Sequence, residues 1–448
     1  RSRLTIAVAA LVMLAAAGAG QQRAEADPAI SGYPDSIASL GDSITRAVNS
    51  DAFGDRPETA WSTGTNPSVN PIYNRLLALH PPLAGNRYNN AVSGAQMDAL
   101  NGQAQSAVAQ GAELVFVLMG ANDVCTSSEA SMTPVATFQA EFEAAMATLA
   151  GGLPDARIAI ITIPDIYNLW SILKDNATAR TIWAFASICQ SMLASPLSTD
   201  PADVQRRANV RQRNIDFNDV LRDVCLEYVH CRFDDYVGFN TAFTPAHVST
   251  IDYFHPSVAG QALIAQLAWD TGYDLTDATA PTSDSSGTPE PGGVSMAITA
   301  TDNDAVSGIE FHTGGAWSRY DGPLSISTGT AITWRAVDVN GNVEATHTCR
   351  IGTWPWSIGD SDCDGTTGAD ETVIGTDPGD ACGVSAWPPD FDDNGVINTT
   401  DVFQVLPPVF GTSVPPTSVR QDLSPNGVIN TTDVFRVLPP FLGGSCTP

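Results

Sequence analysis

The chain has 448 residues, 43% of them apolar, and its 49 Asp and Glu against 21 Lys and Arg leave a net charge of −28. That length implies two to four domains with packed cores. The acidic balance excludes sequence-independent nucleic-acid binding, which needs surplus cations to release counterions; it disfavours anionic membrane surfaces and favours divalent cations.

Residues 1–26 read as a secretory signal peptide. Arg1 and Arg3 precede an apolar run from Leu4 to Ala17 that is short for a membrane span, and Ala24-Glu25-Ala26 supplies an A-x-A cleavage signal. The expected location is therefore extracellular, released or held at the cell surface. The eight Cys agree with this, because an even number in an exported chain suggests disulfides. Pairing within each half predicts Cys125–Cys189 and Cys225–Cys231, and leaves three pairings open among Cys349, Cys363, Cys382 and Cys446.

Residues 27–275 alternate strand and helix patterns. Ser36–Leu40, Arg87–Ala91, Glu113–Met119, Arg157–Ile163 and Tyr228–Phe233 read as strands. Pro134–Leu149 and Asp203–Leu226 read as helices. Such alternation predicts a parallel sheet covered by helices on both faces, with reactive loops at the C-terminal ends of the strands. Residues 276–293, rich in Pro, Ser, Thr and Gly, read as a linker. Residues 294–352 carry short alternating runs, such as Val294–Thr299 and Ala331–Val337, which predict a small β-sandwich. In residues 353–448 the segment GVINTTDVF begins at Gly395 and again at Gly427, an internal duplication.

Several strand ends carry residues suited to catalysis. Gly41-Asp42-Ser43 follows the first strand, in a strand-to-helix turn that exposes the Ser43 hydroxyl and turns its amide outward. A nucleophilic serine needs a base, and there are six His. His312 and His347 fall in the sandwich, His80 precedes two prolines, His247 lies in a polar loop, and His230 lies beside a strand. His255, in Asp252-Tyr253-Phe254-His255-Pro256, precedes a helix expected to start at Pro256, and Asp252 can fix its tautomer. Gly94 and Asn122, after the second and third strands, can supply an amide N–H and a side-chain amide to an oxyanion.

In this order the four blocks, Gly41-Asp42-Ser43, Gly94, Gly120-x-Asn122-Asp123 and Asp252-x-x-His255, resemble the SGNH (GDSL) hydrolases. The resemblance implies a flavodoxin-like three-layer α/β/α domain and ester hydrolysis through an acyl-enzyme. In it Ser43 is the nucleophile, His255 the base, Asp252 its orienter, and Ser43, Gly94 and Asn122 the oxyanion hole. Finer resemblance, through Ile163–Trp170 and Asp252–Pro256, is to secreted bacterial lipases and phospholipases. The expected substrate is an ester, of a lipid or of an acylated carbohydrate, with no catalytic cofactor. Tyr167, Trp170, Trp183 and Phe185 are candidates for an acyl pocket.

Residues 351–448 hold 13 acidic residues against two Arg, a local excess that suits calcium. Asp390, Asp392, Asn394, the Val396 carbonyl and Asp401 fit positions 1, 3, 5, 7 and 12 of a calcium loop. Asp422, Ser424, Asn426, Val428 and Asp433 form a second copy with fewer charges. Asp360, Asp362, Asp364 and Glu371 resemble a thrombospondin type 3 loop. The paired loops resemble a dockerin of EF-hand-like design, which implies a cohesin-like or cell-surface partner. Pro407-Pro408 and Pro439-Pro440 are expected to cut short the helix after each loop. The sandwich resembles bacterial Ig-like modules. Two alternatives stay open beside a lipase-type esterase: a carbohydrate O-deacetylase, and a non-catalytic calcium-dependent surface-binding or scaffold protein.

Overall fold

A computed structural model describes residues 32–290, 293–327, 330–350, 366, 368–377, 388–392, 394, 396–406, 409–415 and 418–441. The signal-peptide stretch and Asp360, Asp362 and Asp364 lie outside them.

Ile37–Gly41 (β1), Arg87–Asn89 (β2), Leu114–Leu118 (β3), Arg157–Ile160 (β4) and Cys231–Phe233 (β5) form one sheet in the order β2–β1–β3–β4–β5. Every pairing in it is parallel, in the order of flavodoxin-type sheets. The central strands are apolar runs because both of their faces are covered. Ile37, Leu114, Phe116 and Ile161 enter one core with the helices Ile72–Leu79 and Val258–Asp270. Their neighbours Ala38, Val115, Val117, Ile158 and Ile160 enter the other, with the helices Leu100–Gln110, Val135–Gly152 and Pro201–Cys225. Alternate side chains of a strand point to opposite faces, so two cores make three layers. The longest helix starts where local chemistry dictates: Asp200 accepts from the Ala202 amide and Pro201 occupies the first turn. Cys125–Cys189 and Cys225–Cys231 are bonded as the sequence suggested, and Cys349 is disulfide-bonded as well.

Beyond this unit, Thr282–Glu290 (β6), Gly293–Thr301 (β7), Val306–His312 (β8), Ser318–Arg319 (β9), Leu324–Ser327 (β10), Ala331–Asp338 (β11) and His347–Arg350 (β12) make two antiparallel sheets. Val294, Met296 and Ile298 face Ile309, Ile332 and Trp334 across a shared core. The stretch read as a linker thus contains a strand, with β6 paired to β7 from Thr282 to Glu290. The sheets dock near the N-terminal ends of β4 and β5. Arg335 bridges Glu310 and Asp155 at 2.5 Å each, Glu310 meets His230 at 3.2 Å, and Arg232 donates to the Val339 carbonyl at 2.8 Å. This leaves the C-terminal strand ends clear.

Among the described residues after 365, the helices Gly368–Ile374, Thr399–Gln404 and Thr431–Phe441 surround Ile374, Ile397, Val405, Leu423, Ile429 and Val437. Ile397 and Ile429 are equivalent positions of the duplication and both are buried. The first loop's helix ends before Pro407-Pro408. The second runs through Pro439-Pro440 to Phe441, contrary to expectation. In the last turn the two prolines forfeit one backbone bond each, and the burial of Val437 and Ile429 offsets this. No described helix is long and apolar enough to cross a membrane.

Candidate active site

β1 and β3 are neighbours at the point where the strand order reverses, and a crevice opens outside their C-terminal ends. Ser43 follows β1 into it. The helix expected after Ser43 does not form; residues 42–50 make successive turns instead, with Ala47 and Asn49 at positive φ. The Val48 amide closes back on the Ser43 carbonyl at 3.0 Å.

Asp252 and His255 come from the loop before the helix Val258–Asp270. That helix starts two residues later than Pro256, capped by the Ser257 hydroxyl on the Gly260 amide. Tyr253 takes a positive φ, and the amides of Phe254 and His255 fold back onto Asp252 Oδ1 at 2.9 and 3.0 Å. The other oxygen, Oδ2, meets His255 Nδ1 at 2.6 Å, and His255 Nε2 meets Ser43 Oγ at 2.9 Å. One hydrogen-bonded chain therefore joins Asp252, His255 and Ser43. Burial works against a charge on Asp252. The bond and charge of His255 and the Asn49 amide outweigh it, and the carboxyl lies below its ordinary value. A carboxylate so held fixes the imidazole with its lone pair toward the serine, which is what a general base requires.

Asn49 was not picked out by sequence. Its side-chain NH2 donates to Asp252 Oδ2 at 2.6 Å and its Oδ1 accepts from the Gly54 amide at 2.7 Å. The only local signal is an asparagine suited to a left-handed turn.

Asn122 is the second residue of the short helix Ala121–Val124 after β3. One of its side-chain N–H groups donates to the Ala95 carbonyl at 2.8 Å; the second meets no acceptor among the described residues and can serve a ligand. The Ser43 and Gly94 amides meet no acceptor among the described residues. Asp123 ties these loops together, accepting from the Met97 amide at 3.0 Å and the Thr133 hydroxyl at 2.7 Å.

Burial pushes Asp42 up to about 6 and Asp123 up to about 7, against the hydrogen bonds they accept. The folded chain thus holds these protons more tightly than the unfolded one. The stabilisation is complete below pH ~4 and is lost as pH rises toward 7. Asp123→Asn keeps the shape without a charge: its oxygen can accept from the Met97 amide while its NH2 donates to the Thr133 hydroxyl oxygen. It should flatten the fall in unfolding free energy between pH 4 and 7 by on the order of 4 kcal/mol, measured by urea denaturation across that range. An unchanged slope would show that Asp123 does not titrate there.

A pocket opens beside Ser43, lined by Asn122, Ile163, Ile166, Leu169, Phe243, His247, Val248, Phe254 and His255 among others. The aromatic residues expected to form it do not. Trp170 and Trp183 are buried, their indole N–H groups bonded to the carbonyls of Pro196 and Tyr253, both at 2.9 Å. Tyr167 packs against Trp170, and Phe185 is 92% exposed. On the helix Ile166–Leu173 it is Ile166 and Leu169 that face the cavity.

In the C-terminal repeats, Asp390, Asp392 and Asp401 bring one carboxylate oxygen each within 4.8 Å of one another. Burial, then the charges of Asp401 and Asp390, raise Asp392. Asn394 donates to Asp392, and the Val396 carbonyl accepts from Asn398 at 3.3 Å. In the second loop Asp433 accepts from the Ser424 and Asn430 amides at 3.0 and 2.7 Å, Asp422 accepts from the Gly427 amide at 2.7 Å, and Asn426 donates to Ser424 at 3.0 Å. The Val428 carbonyl accepts from Asn430 at 2.9 Å. Glu371 is fully buried in the helix Gly368–Ile374. The oxygen-rich donor set of the first loop suits a hard divalent cation.

No curated protein matches the chain. Among solved structures it is similar to phospholipase A1 from Streptomyces albidoflavus NA297, at 18% identity over 54% of this chain and 100% of that one, with a TM-score of 0.34. It is also similar to an extracellular lipase from Streptomyces rimosus, at 15% identity over 53% of this chain and 99% of that one, again with a TM-score of 0.34. Residues 39–263, just over half of the chain and the span that holds every strand-end block described above, match the GDSL-like Lipase/Acylhydrolase family, and the chain belongs to that family.

Proposed function

We propose that the chain is an exported serine ester hydrolase of the lipase, phospholipase or esterase type. The observation that carries this reading is the unbroken Asp252–His255–Ser43 hydrogen-bond chain at the mouth of an apolar pocket. Ser43 Oγ attacks the ester carbonyl carbon as its proton passes to His255 Nε2. The oxyanion is held by the Ser43 and Gly94 amides and the free N–H of Asn122. The bond to the alcohol oxygen breaks, and His255 returns the proton to that oxygen. Water then attacks the acyl-serine, giving its proton to His255, and the acid leaves as Ser43 recovers its proton. Ile163, Ile166 and Leu169 offer the acyl chain more apolar surface than an acetyl group can use, which favours this reading over a deacetylase. A fluorophosphonate should label the protein once, on the Ser43 peptide, by mass spectrometry. Labelling elsewhere, or none, rejects Ser43 as the nucleophile.

The C-terminal repeats are proposed as calcium sites: Asp390, Asp392, Asn394, the Val396 carbonyl and Asp401 in the first, and Asp422, Ser424, Asn426, the Val428 carbonyl and Asp433 in the second. Bound calcium would neutralise the clustered carboxylates there. EDTA should lower the melting temperature of this region by several degrees and leave ester turnover within twofold. Immediate loss of turnover on chelation would contradict a purely structural role. A cohesin-like or cell-surface partner for these repeats, and an Ig-like ancestry for the sandwich, belong to the same proposal.

A further inference from the structure

The pocket contains a second histidine that the reaction above leaves unused. His247 lines it together with His255, Phe243 and Phe254. The chain folds back on itself here. The Ser257 amide donates to the His247 carbonyl at 2.9 Å, the Ser249 amide to the His255 carbonyl at 2.8 Å, and Val248 bridges Pro256 between them. His247 is therefore tied to the same short ladder that carries His255.

Its ring is fixed in orientation and in tautomer. Phe243 packs against it edge to face, with centroids 5.8 Å apart. The Thr244 amide donates to Nδ1 at 3.2 Å. A ring nitrogen that accepts a hydrogen bond carries no proton, so the neutral imidazole bears its proton on Nε2. Nε2 has no partner among the described residues. The pocket thus holds a preoriented donor on a mostly apolar wall, the arrangement by which binding sites fix one polar atom of a ligand.

The reaction indicates which part of an ester this donor meets. The alcohol oxygen must lie beside His255 Nε2 to receive its proton, and the oxyanion lies toward Asn122. On this reading the alcohol part is assigned to the side of the His255 ladder, where His247 lies, and the acyl chain to the apolar wall of Ile163, Ile166 and Leu169. We propose that His247 is a specificity-determining residue whose Nε2–H donates to an acceptor oxygen on the alcohol part of the substrate. It selects esters of polyols, glycerol among them, over esters of plain alkyl alcohols. The proposal rests on the ester-hydrolase reading above.

The test compares 1-monobutyrin with propyl butyrate, which share an acyl group and a three-carbon alcohol and differ by two hydroxyls. In His247→Phe, which keeps the packing against Phe243, kcat/KM for monobutyrin should fall about tenfold, the worth of one net hydrogen bond, with propyl butyrate held within twofold. His247→Gln, which retains a donor, should recover part of the loss. An unchanged preference, or an equal fall on both esters, overturns the proposal. If the unmodified protein hydrolyses neither ester, the underlying reading fails instead of this one.

Discussion

Ser43→Ala should lower kcat by about 10⁴-fold or more on p-nitrophenyl butyrate while leaving the melting temperature within about 1 °C. The two halves of this expectation have separate physical origins. Ser43 is 8% exposed and its Oγ bonds only to His255 among the described residues. Removing it deletes one hydrogen bond at the edge of a cavity, a change usually worth about 0.5 kcal/mol. His255 keeps its bond to Asp252, so no buried charge is abandoned. Catalysis loses its nucleophile outright, and what remains is transition-state binding by the oxyanion donors. Asp252→Asn should act almost as strongly. An amide facing Nδ1 favours the tautomer with its proton toward Ser43, which cannot accept another. The double variant Ser43→Ala, Asp252→Asn should be little worse than Ser43→Ala alone, because the residues act as one unit. Additive losses, or a Ser43→Ala variant within tenfold of the unmodified protein, would falsify the assignment.

How far the chain could be read in advance follows from the range of the interactions involved. β1, β3 and β4 were legible because strands buried on both faces must be apolar along their length, and that is a local property. Ser43 and Asn122 were legible because each sits just beyond such a strand, and His255 because it sits just before a helix. Asn49 was not, since its partner Asp252 is 203 residues away. His247 read as part of a polar loop; only the backbone pairing of 247–249 with 255–257 brings it to the cavity. The pocket wall differs from the expected aromatic one because helix periodicity turns Trp170 into the core and leaves Leu169 at the cavity. The Ser- and Pro-rich stretch at 282–290 read as linker, yet β6 is an edge strand. An edge strand tolerates proline, because only one of its sides has a ladder to complete.

Gly41→Ala should cost about 3–5 kcal/mol in urea denaturation and at least 100-fold in kcat/KM, failing in the opposite order to Ser43→Ala. Gly41 ends β1 at φ +149°, and a Cβ there would lie 2.2 Å from the Leu118 carbonyl oxygen and 2.7 Å from Thr45 Oγ1. The first contact is backbone of the paired strand β3, so relief requires prising apart the register that joins Gly41 to Leu118. Gln103 closes the other escape: its side chain accepts from the Gly41 amide at 2.7 Å and donates to the Gly41 carbonyl at 2.9 Å, both buried. Strain of this kind in a packed interior is paid in stability. It also shifts Ser43, two residues on, and a displacement near 1 Å is enough to cost about 100-fold. Gly94→Ala is the matched control. Its φ is +82°, but nothing lies within 4 Å of the added carbon. Only the left-handed backbone is penalised, about 1 kcal/mol, and the amide proposed for the oxyanion stays in place. If Gly41→Ala proved no worse than Gly94→Ala, close packing of β1 on β3 could not be the reason that glycine precedes Asp42-Ser43. If the two separate as expected, the motif divides by physical cause: Gly41 is required by the sheet, and Ser43 by the reaction.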